Sequence, residues 1–229
     1  MLADNEVRII YSLHTESNFP NEEALRLISK YDKERYEAFR FSEDKLRFLK
    51  ARYILLKFAS AYFNNKHLPD AELIFNRYGK PQFKDLPLNF SITHSHNIAA
   101  VAFSKDLSIG FDVEHKRKVE DLDQLAKRFF SGPEVEYMET LDTQIRADNF
   151  FRIWSAKEAY IKAIGLGVSK ELGSFSVIDN GAIDQVIELK NNTSTHNIFE
   201  LNIEENYSAA LCIPSSSISP EVHIEELQI

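Results

Sequence analysis

Four short segments carry side chains whose types and spacing suit phosphate chemistry. In Ile109-Gly110-Phe111-Asp112-Val113-Glu114, strand alternation would project Asp112 and Glu114 one way and turn Phe111 and Val113 to a core. Two such carboxylates 4 Å apart repel by about 4 kcal/mol at an effective dielectric of 20. The plain alternative is a solvated strand end. The second segment runs from Phe151 to Ile164. Its apolar residues Ile153, Trp154, Ala156, Ala159, Tyr160, Ile161 and Ile164 cover most of a helix circumference, so the helix should be largely buried. Ser155, Glu158 and Lys162 nevertheless fall at i, i+3 and i+7 on one polar line. The plain alternative there is an exposed Glu–Lys pair contributing about 0.2–0.5 kcal/mol.

The third segment is Asn89-Phe90-Ser91-Ile92-Thr93-His94-Ser95-His96. Thr93, His94 and Ser95 sit at a strand end beside a turn, with hydroxyl, imidazole and backbone donors that could cradle an anion. A Ser- and Thr-rich turn with incidental histidines is the alternative. No G-x-S-x-G elbow supports a serine hydrolase, and His94 and His96 lack a third zinc ligand nearby. The fourth group is basic: Arg47 and Arg52 on one helix, and Lys80 in the Tyr78-Gly79-Lys80-Pro81 turn. Taken together, Asp112, Glu114 and Glu158 offer three hard oxygen ligands suited to Mg²⁺, with Mn²⁺ as the substitute. Arg47, Lys80 and Lys162, with Thr93 and His94, suit a polyphosphate. A divalent ion would relieve the repulsion among the carboxylates.

The elements that must position these groups can be read from periodicity. A strand is expected over Val7 to Leu13, a helix over Asn21 to Tyr31 capped by Asn21, and a long helix over Glu43 to Phe63 capped by Ser42. A loop follows through Asn64-Asn65 and Leu68-Pro69-Asp70, then a strand from Glu72 to Asn76. Leu88 to Thr93, Ile98 to Phe103 and Ile109 to Val113 read as three strands. Helix returns over Leu122 to Phe130. Ser131-Gly132-Pro133-Glu134 stops it and starts another, with Pro133 early in the new helix and Glu134 complementing its dipole. The longest helix, Ile145 to Ile164, ends at Gly165 and Gly167. Phe175 to Ile178, Ile183 to Leu189, Ile198 to Ile203 and Tyr207 to Ile213 alternate as strands, and a last short strand follows Pro220. The fold class is α+β, with the pattern given twice, over 1–108 and 109–229.

With 229 residues, 44% of them hydrophobic, the chain can build a sizeable core. A net charge of −8 argues against coating nucleic acid. The single cysteine, Cys212, excludes an intramolecular disulfide framework. No apolar run approaches the roughly 20 residues of a membrane span, and the first residues lack the pattern of a signal peptide, so a cytoplasmic protein without membrane contact is expected.

The sequence resembles the 4′-phosphopantetheinyl transferases, of the type with two subdomains. The resemblance rests on Tyr78-Gly79-Lys80-Pro81, Phe90-Ser91-Ile92-Thr93-His94-Ser95, Ile109 to Glu114, Arg128-Phe129-Phe130-Ser131 with Glu134, and Trp154-Ser155-Ala156-Lys157-Glu158-Ala159-Tyr160-Ile161-Lys162, continuing through Gly165 to Gly167 and Ser174 to Val177. It runs from about residue 30 to residue 180, with the segments in the family's order. It implies two similar α+β subdomains related by a pseudo-twofold axis, with the active site in the cleft between them, in a monomer. It implies transfer of the phosphopantetheine arm of coenzyme A to a serine of an apo acyl or peptidyl carrier protein, with release of adenosine 3′,5′-bisphosphate. By the same resemblance Asp112, Glu114 and Glu158 hold Mg²⁺ on the pyrophosphate, and Glu158 takes the serine proton directly or through a water. Lys162 binds the pyrophosphate and steadies the leaving phosphate. Arg47 and His94, helped by Thr93, bind the 3′-phosphate region, Gly79-Lys80-Pro81 lie against the adenine nucleotide, and Lys33 and Arg35 fall near a further basic pair.

Three positions depart from the family pattern: Thr93 replaces a serine, Val113 an isoleucine, and His96 a small residue. Because carrier proteins of this kind are usually acidic and this chain is acidic too, docking is expected through a local, partly apolar surface within Phe129 to Leu141, including Val135, Tyr137, Met138 and Leu141. Two other classes fit the residues alone: another Mg²⁺-dependent enzyme acting on a phosphorylated or nucleotide substrate, and a non-catalytic module that binds coenzyme A.

Overall fold

A computed structural model describes residues 2–13, 15, 17–64 and 73–228. In chain order the elements are β1 (Glu6–Ser12), α1 (Asn21–Leu27), α2 (Lys30–Ala38), α3 (Ser42–Tyr62), β2 (Leu73–Phe75), β3 (Pro81–Phe83), β4 (Asn89–Ser95), β5 (Ile98–Ser104) and β6 (Gly110–His115). They continue with α4 (Leu122–Phe129), α5 (Gly132–Thr140), α6 (Thr143–Ile164), β7 (Phe175–Ser176), β8 (Gln185–Glu188), β9 (Thr193–Leu201), β10 (Tyr207–Pro214) and β11 (Glu221–Glu226). The α+β expectation holds. The expected loop around Asn65 and Leu68-Pro69-Asp70, and the strand start at Glu72, lie outside the described residues. Among the described residues no helix is long and apolar enough to cross a membrane.

The chain divides into two compact units that differ from a single cut at 108/109. The first holds Met1–Ile74, Pro81–Asp106 and Pro220–Ile229; the second holds Phe75–Lys80 and Leu107–Ser219. Strand pairing explains one exchange. β11 runs parallel to β1, with Val7 opposite Val222 and Ile9 opposite Ile224, which attaches the last described strand to the first unit. The other exchange, of the hairpin tip Phe75–Lys80, follows from hydrogen bonds of Asn76 and Lys80 to residues of the second unit.

In the first unit a four-stranded sheet has the order β11-β1-β5-β4. Every residue of β5 is buried, as its unbroken run Ile98-Ala99-Ala100-Val101-Ala102-Phe103 demands. α3 buries two faces. Ile54, Leu55 and Ala59 pack with Ile10, Val101 and Phe103, while Leu49, Tyr53 and Leu56 pack with Phe19, Ala24 and Ile28. The helix expected over Asn21 to Tyr31 is broken. Ile28 is extended, and the Ser29 side chain accepts from Asp32 N to start α2. Asn21 is the first helical residue rather than the cap, which is Pro20; likewise Phe41, not Ser42, caps α3.

In the second unit the sheet order is β6-β10-β9-β8-β7, and α6 lies across β6 and β10. α6 begins at Thr143 and ends at Gly165, whose φ of 67° is the left-handed conformation that closes a helix without a Cβ penalty. Its small residues Ala156, Ala159 and Ala163 are buried with Ala210 and Cys212 of β10. Gly110, cross-strand partner of Cys212, faces the same helix. A Cβ at Gly110 would lie 1.9 Å from the Ala159 carbonyl oxygen and 2.3 Å from the Ala163 nitrogen. Backbone therefore meets backbone, and only glycine fits.

Gly110→Ala should cost about 3 kcal/mol or more in urea unfolding, because two backbones must separate. Gly132→Ala is the control, since its added Cβ meets nothing within 4 Å; it should change stability by less than about 0.5 kcal/mol. Equal effects would remove the close approach as an organising contact.

Candidate active site

The closeness of β6 and α6 brings three of the expected residues together. Asp112, two residues beyond Gly110, pairs across the sheet with Ala210 and so faces α6. On the helix, Glu158 and Lys162 are one turn apart. Lys162 Nζ donates to Asp112 Oδ1 at 2.7 Å. Asp112 is buried, whereas Glu158 and Lys162 are half-buried. Burial pushes the Glu158 carboxyl above the usual carboxylate range; the Asp112 charge adds to the rise and Lys162 opposes it. Two acids and one ammonium thus share a partly desolvated patch. Glu114 lies on the same face of β6, opposite Ser208, and is half-buried. Ser208 Oγ and Ser155 Oγ are 2.9 Å apart, so the serine that begins the polar line on α6 is bonded across to β10.

Among the described residues no three histidine, cysteine or acidic side chains already form a cage for a metal ion. The donor chemistry fits Mg²⁺, which binds through one or two carboxylates plus substrate phosphates and water rather than through an all-protein cage. Asp112 and Glu158 are the pair whose mutual charge a divalent cation would relieve.

Lys157, beside Glu158 in sequence, points the other way and is 1% exposed. Its Nζ donates to both oxygens of Glu134, at 2.8 and 2.6 Å, and to the Phe175 carbonyl at 2.8 Å. Glu134 also accepts from Ser131 N and Val177 N, both at 2.8 Å. The role read from sequence for Glu134, complementing a dipole, was too small: it ties α5, α6 and the segment entering β7. With its partners saturated, this pair is anchorage rather than chemistry.

In the first unit, α3 carries Arg47 and Lys50 to the β4–β5 turn. Arg47 Nη1 donates to His96 O at 3.0 Å, and Lys50 Nζ donates to Asn97 O at 2.9 Å. Lys50 is buried, and desolvation, with Arg47 nearby, lowers its pKa to about 8. Sequence reasoning passed over Lys50; its signal was the i+3 spacing from Arg47. His94 is exposed, while Thr93 is buried, as alternation along β4 requires. The two side chains therefore lie on opposite faces of the sheet instead of acting side by side. Arg35 stacks over the Tyr31 and Phe48 rings, at 5.9 and 5.5 Å. Arg52, also noted among the bases, is buried in an ion pair with Asp32. Gly79 takes a φ of 88° at the β2–β3 turn, Pro81 opens β3, and Lys80 turns inward onto two carbonyls.

The expected docking surface needs one correction. Met138 is 3% exposed and belongs to the core, while Val135, Tyr137 and Leu141 pack partly against it. A shallow groove of about 440 Å³ does run beside α5, lined by Pro133, Glu136, Tyr137, Ile178 and Leu189, but it contains none of the site residues above.

A family model described as the 4′-phosphopantetheinyl transferase superfamily matches residues 108–212, which hold Asp112, Glu114, Glu158 and Lys162. The chain is 31% identical over 209 residues to the 4′-phosphopantetheinyl transferase gsp of Aneurinibacillus migulanus, covering 89% of this chain and 84% of that protein. It is equally 31% identical over 209 residues to the 4′-phosphopantetheinyl transferase Sfp of Bacillus subtilis strain 168, covering 89% and 91%. The 4′-phosphopantetheinyl transferase HetI of Nostoc matches at 36% over 140 residues, 59% of each chain.

Two measurements test this site. Lys157→Met should cost about 3–5 kcal/mol in chemical denaturation by leaving the Glu134 carboxyl buried without its ion-pair partner, and adding Glu134→Leu should recover part of that loss. A raised folded-state pKa at Glu158 means that its contribution to stability is present below the unfolded value and is lost as pH rises through the folded one. In chelator-treated protein, Glu158→Gln should therefore raise the melting temperature at pH 8 and not at pH 4. A shift of the same size at both pH values would show that Glu158 carries no such strain.

Proposed function

Because the chain belongs to the 4′-phosphopantetheinyl transferase family, we propose that it moves the phosphopantetheine arm of coenzyme A onto a serine of an apo acyl or peptidyl carrier protein, releasing adenosine 3′,5′-bisphosphate. The observation that carries this reading is the cluster of Asp112, Glu158 and Lys162, held together where β6 and α6 meet.

In this proposal Asp112, Glu114 and Glu158 hold Mg²⁺, or Mn²⁺ in its place. When bound, the ion supplies neutralisation of pyrophosphate charge, the main requirement in a transfer with little covalent chemistry for the protein to do. Lys162 brings a second positive charge to the departing phosphate. Its contact with Asp112 keeps the ammonium at the patch before substrate arrives. Glu158 accepts the proton of the attacking serine, directly or through a water, and its raised pKa brings it closer to working pH as a base. Arg47 and His94, with Arg35, are proposed to bind the 3′-phosphate region of coenzyme A, while Thr93, on the other face of β4, supports the strand from within. Arg47 is pre-oriented by the His96 carbonyl. Gly79 and Pro81 are proposed to border the nucleotide. The working form is proposed to be a monomer in the cytoplasm, with no nucleic-acid or membrane partner.

Incubation with coenzyme A, Mg²⁺ and several apo carriers should add the mass of one phosphopantetheine group to at least one carrier serine. Glu158→Gln should lower the rate at least about a hundredfold while leaving the circular-dichroism spectrum unchanged. Hydrolysis of coenzyme A with no carrier modified would favour a different phosphate-processing enzyme. Binding of coenzyme A that ignores Mg²⁺, without turnover, would favour a non-catalytic module.

A further inference from the structure

Lys80 sits at the tip of the β2–β3 hairpin, and its side chain is largely withdrawn from water. Its Nζ donates to the carbonyls of Ile109, at 3.3 Å, and Ala163, at 3.2 Å. These carbonyls adjoin the reacting segments. Ile109 directly precedes Gly110 and the strand that carries Asp112; Ala163 directly follows Lys162. Ala163 O belongs to the last turn of α6, where carbonyls have no partner within the helix and where a cation is favoured by the dipole. Ser108 Oγ donates to the same oxygen at 3.2 Å.

The neighbouring Asn76 completes the contact. Its Nδ2 donates to Gly165 O at 2.8 Å, on the residue that caps α6. Its Oδ1 accepts from Tyr78 N and Lys80 N, at 2.9 and 3.0 Å, which fixes the turn that presents Lys80. The fit is tight. A Cβ at Gly165 would meet Lys80 Cδ at 3.0 Å and Asn76 Nδ2 at 3.1 Å, and one at Gly167 would meet the Tyr78 carbonyl oxygen at 3.1 Å. Burial lowers the pKa of Lys80, in keeping with a side chain committed to the interior.

We propose that Lys80, with Asn76, is a positioning residue: one ammonium joins the start of β6 to the end of α6 and so sets Glu158 and Lys162 against Asp112, rather than contacting coenzyme A. Resemblance alone would have laid Lys80 on the nucleotide. The assignment rests on Asp112, Glu158 and Lys162 being the reacting cluster.

The test uses the full chain with Lys80→Met, which keeps length and removes the donors, and Asn76→Ala, which removes one of the two tethers. Both should lower kcat, Lys80→Met by roughly tenfold, with KM for coenzyme A within about twofold of the parent. Amide exchange at residues 161–165 should accelerate by roughly tenfold in the metal-free protein, since the last turn loses its tether. A KM or titrated Kd for coenzyme A that rises while kcat and exchange stay at parental values would overturn the proposal in favour of a ligand contact. Faster exchange with an unchanged kcat would also overturn it, reducing Lys80 to a helix cap. If Lys80→Met does not fold, Asn76→Ala decides by the same criteria. Absence of transfer by the parent chain on every carrier would instead sink the proposed function, and unchanged exchange in the variants would then separately sink the tether.

Discussion

The chemistry of this protein depends on a missing side chain. At Gly110 the strand β6 approaches α6 until backbone touches backbone, closer than any residue with a Cβ would allow. That approach places a strand carboxylate beside a helix carboxylate and a helix ammonium, although Asp112 lies 50 residues from Lys162 in sequence. Small residues on both sides, Ala159 and Ala163 on the helix and Ala210 and Cys212 on the adjoining strand, make the approach possible along its length. The apolar packing thus determines how far apart the charges stand, and that distance determines what they can do.

Two treatments of buried charge lie side by side on α6. Lys157 and Glu134 are fully enclosed, and each has its hydrogen-bonding capacity taken up by partners within the fold. One residue further along, Glu158 is half-buried, close to another acid, and balanced by an ammonium that also serves Asp112. The first arrangement has no spare capacity for a ligand. The second has unresolved like-charge repulsion, which is what a divalent cation or a protonation event relieves. The difference between anchorage and reactivity in adjacent residues is the number of partners the fold supplies.

The strands bearing the motifs were legible because their apolar runs and turn residues are local signals; β4, β5 and β6 each fall within two residues of expectation. The end of α6 was legible in Gly165. Asp112 with Glu158 and Lys162 could be grouped because strand and helix periods each put the polar residues on one line. The break at Ile28-Ser29 was written locally, as Ser29 followed three residues later by Asp32, but apolar periodicity ran across it and masked it. Thr93 and His94 were read as neighbours in sequence, whereas period two separates them across the sheet. The inward turn of Lys80, the enclosure of Lys157 by Glu134 and the pairing of β11 with β1 are contacts between distant segments. No window of sequence contains both partners, so local pattern could not disclose them.

The parallel pairing of β11 with β1 has a consequence for how the protein comes off the ribosome. β1 is made well before β11, yet one of its two hydrogen-bonded edges is satisfied only by residues 221–226. Until those residues emerge, Glu6–Ser12 presents an open, largely apolar border of the kind that recruits strands from other chains. The first unit is therefore sealed only when a distant downstream strand docks, and until then that edge is an aggregation hazard.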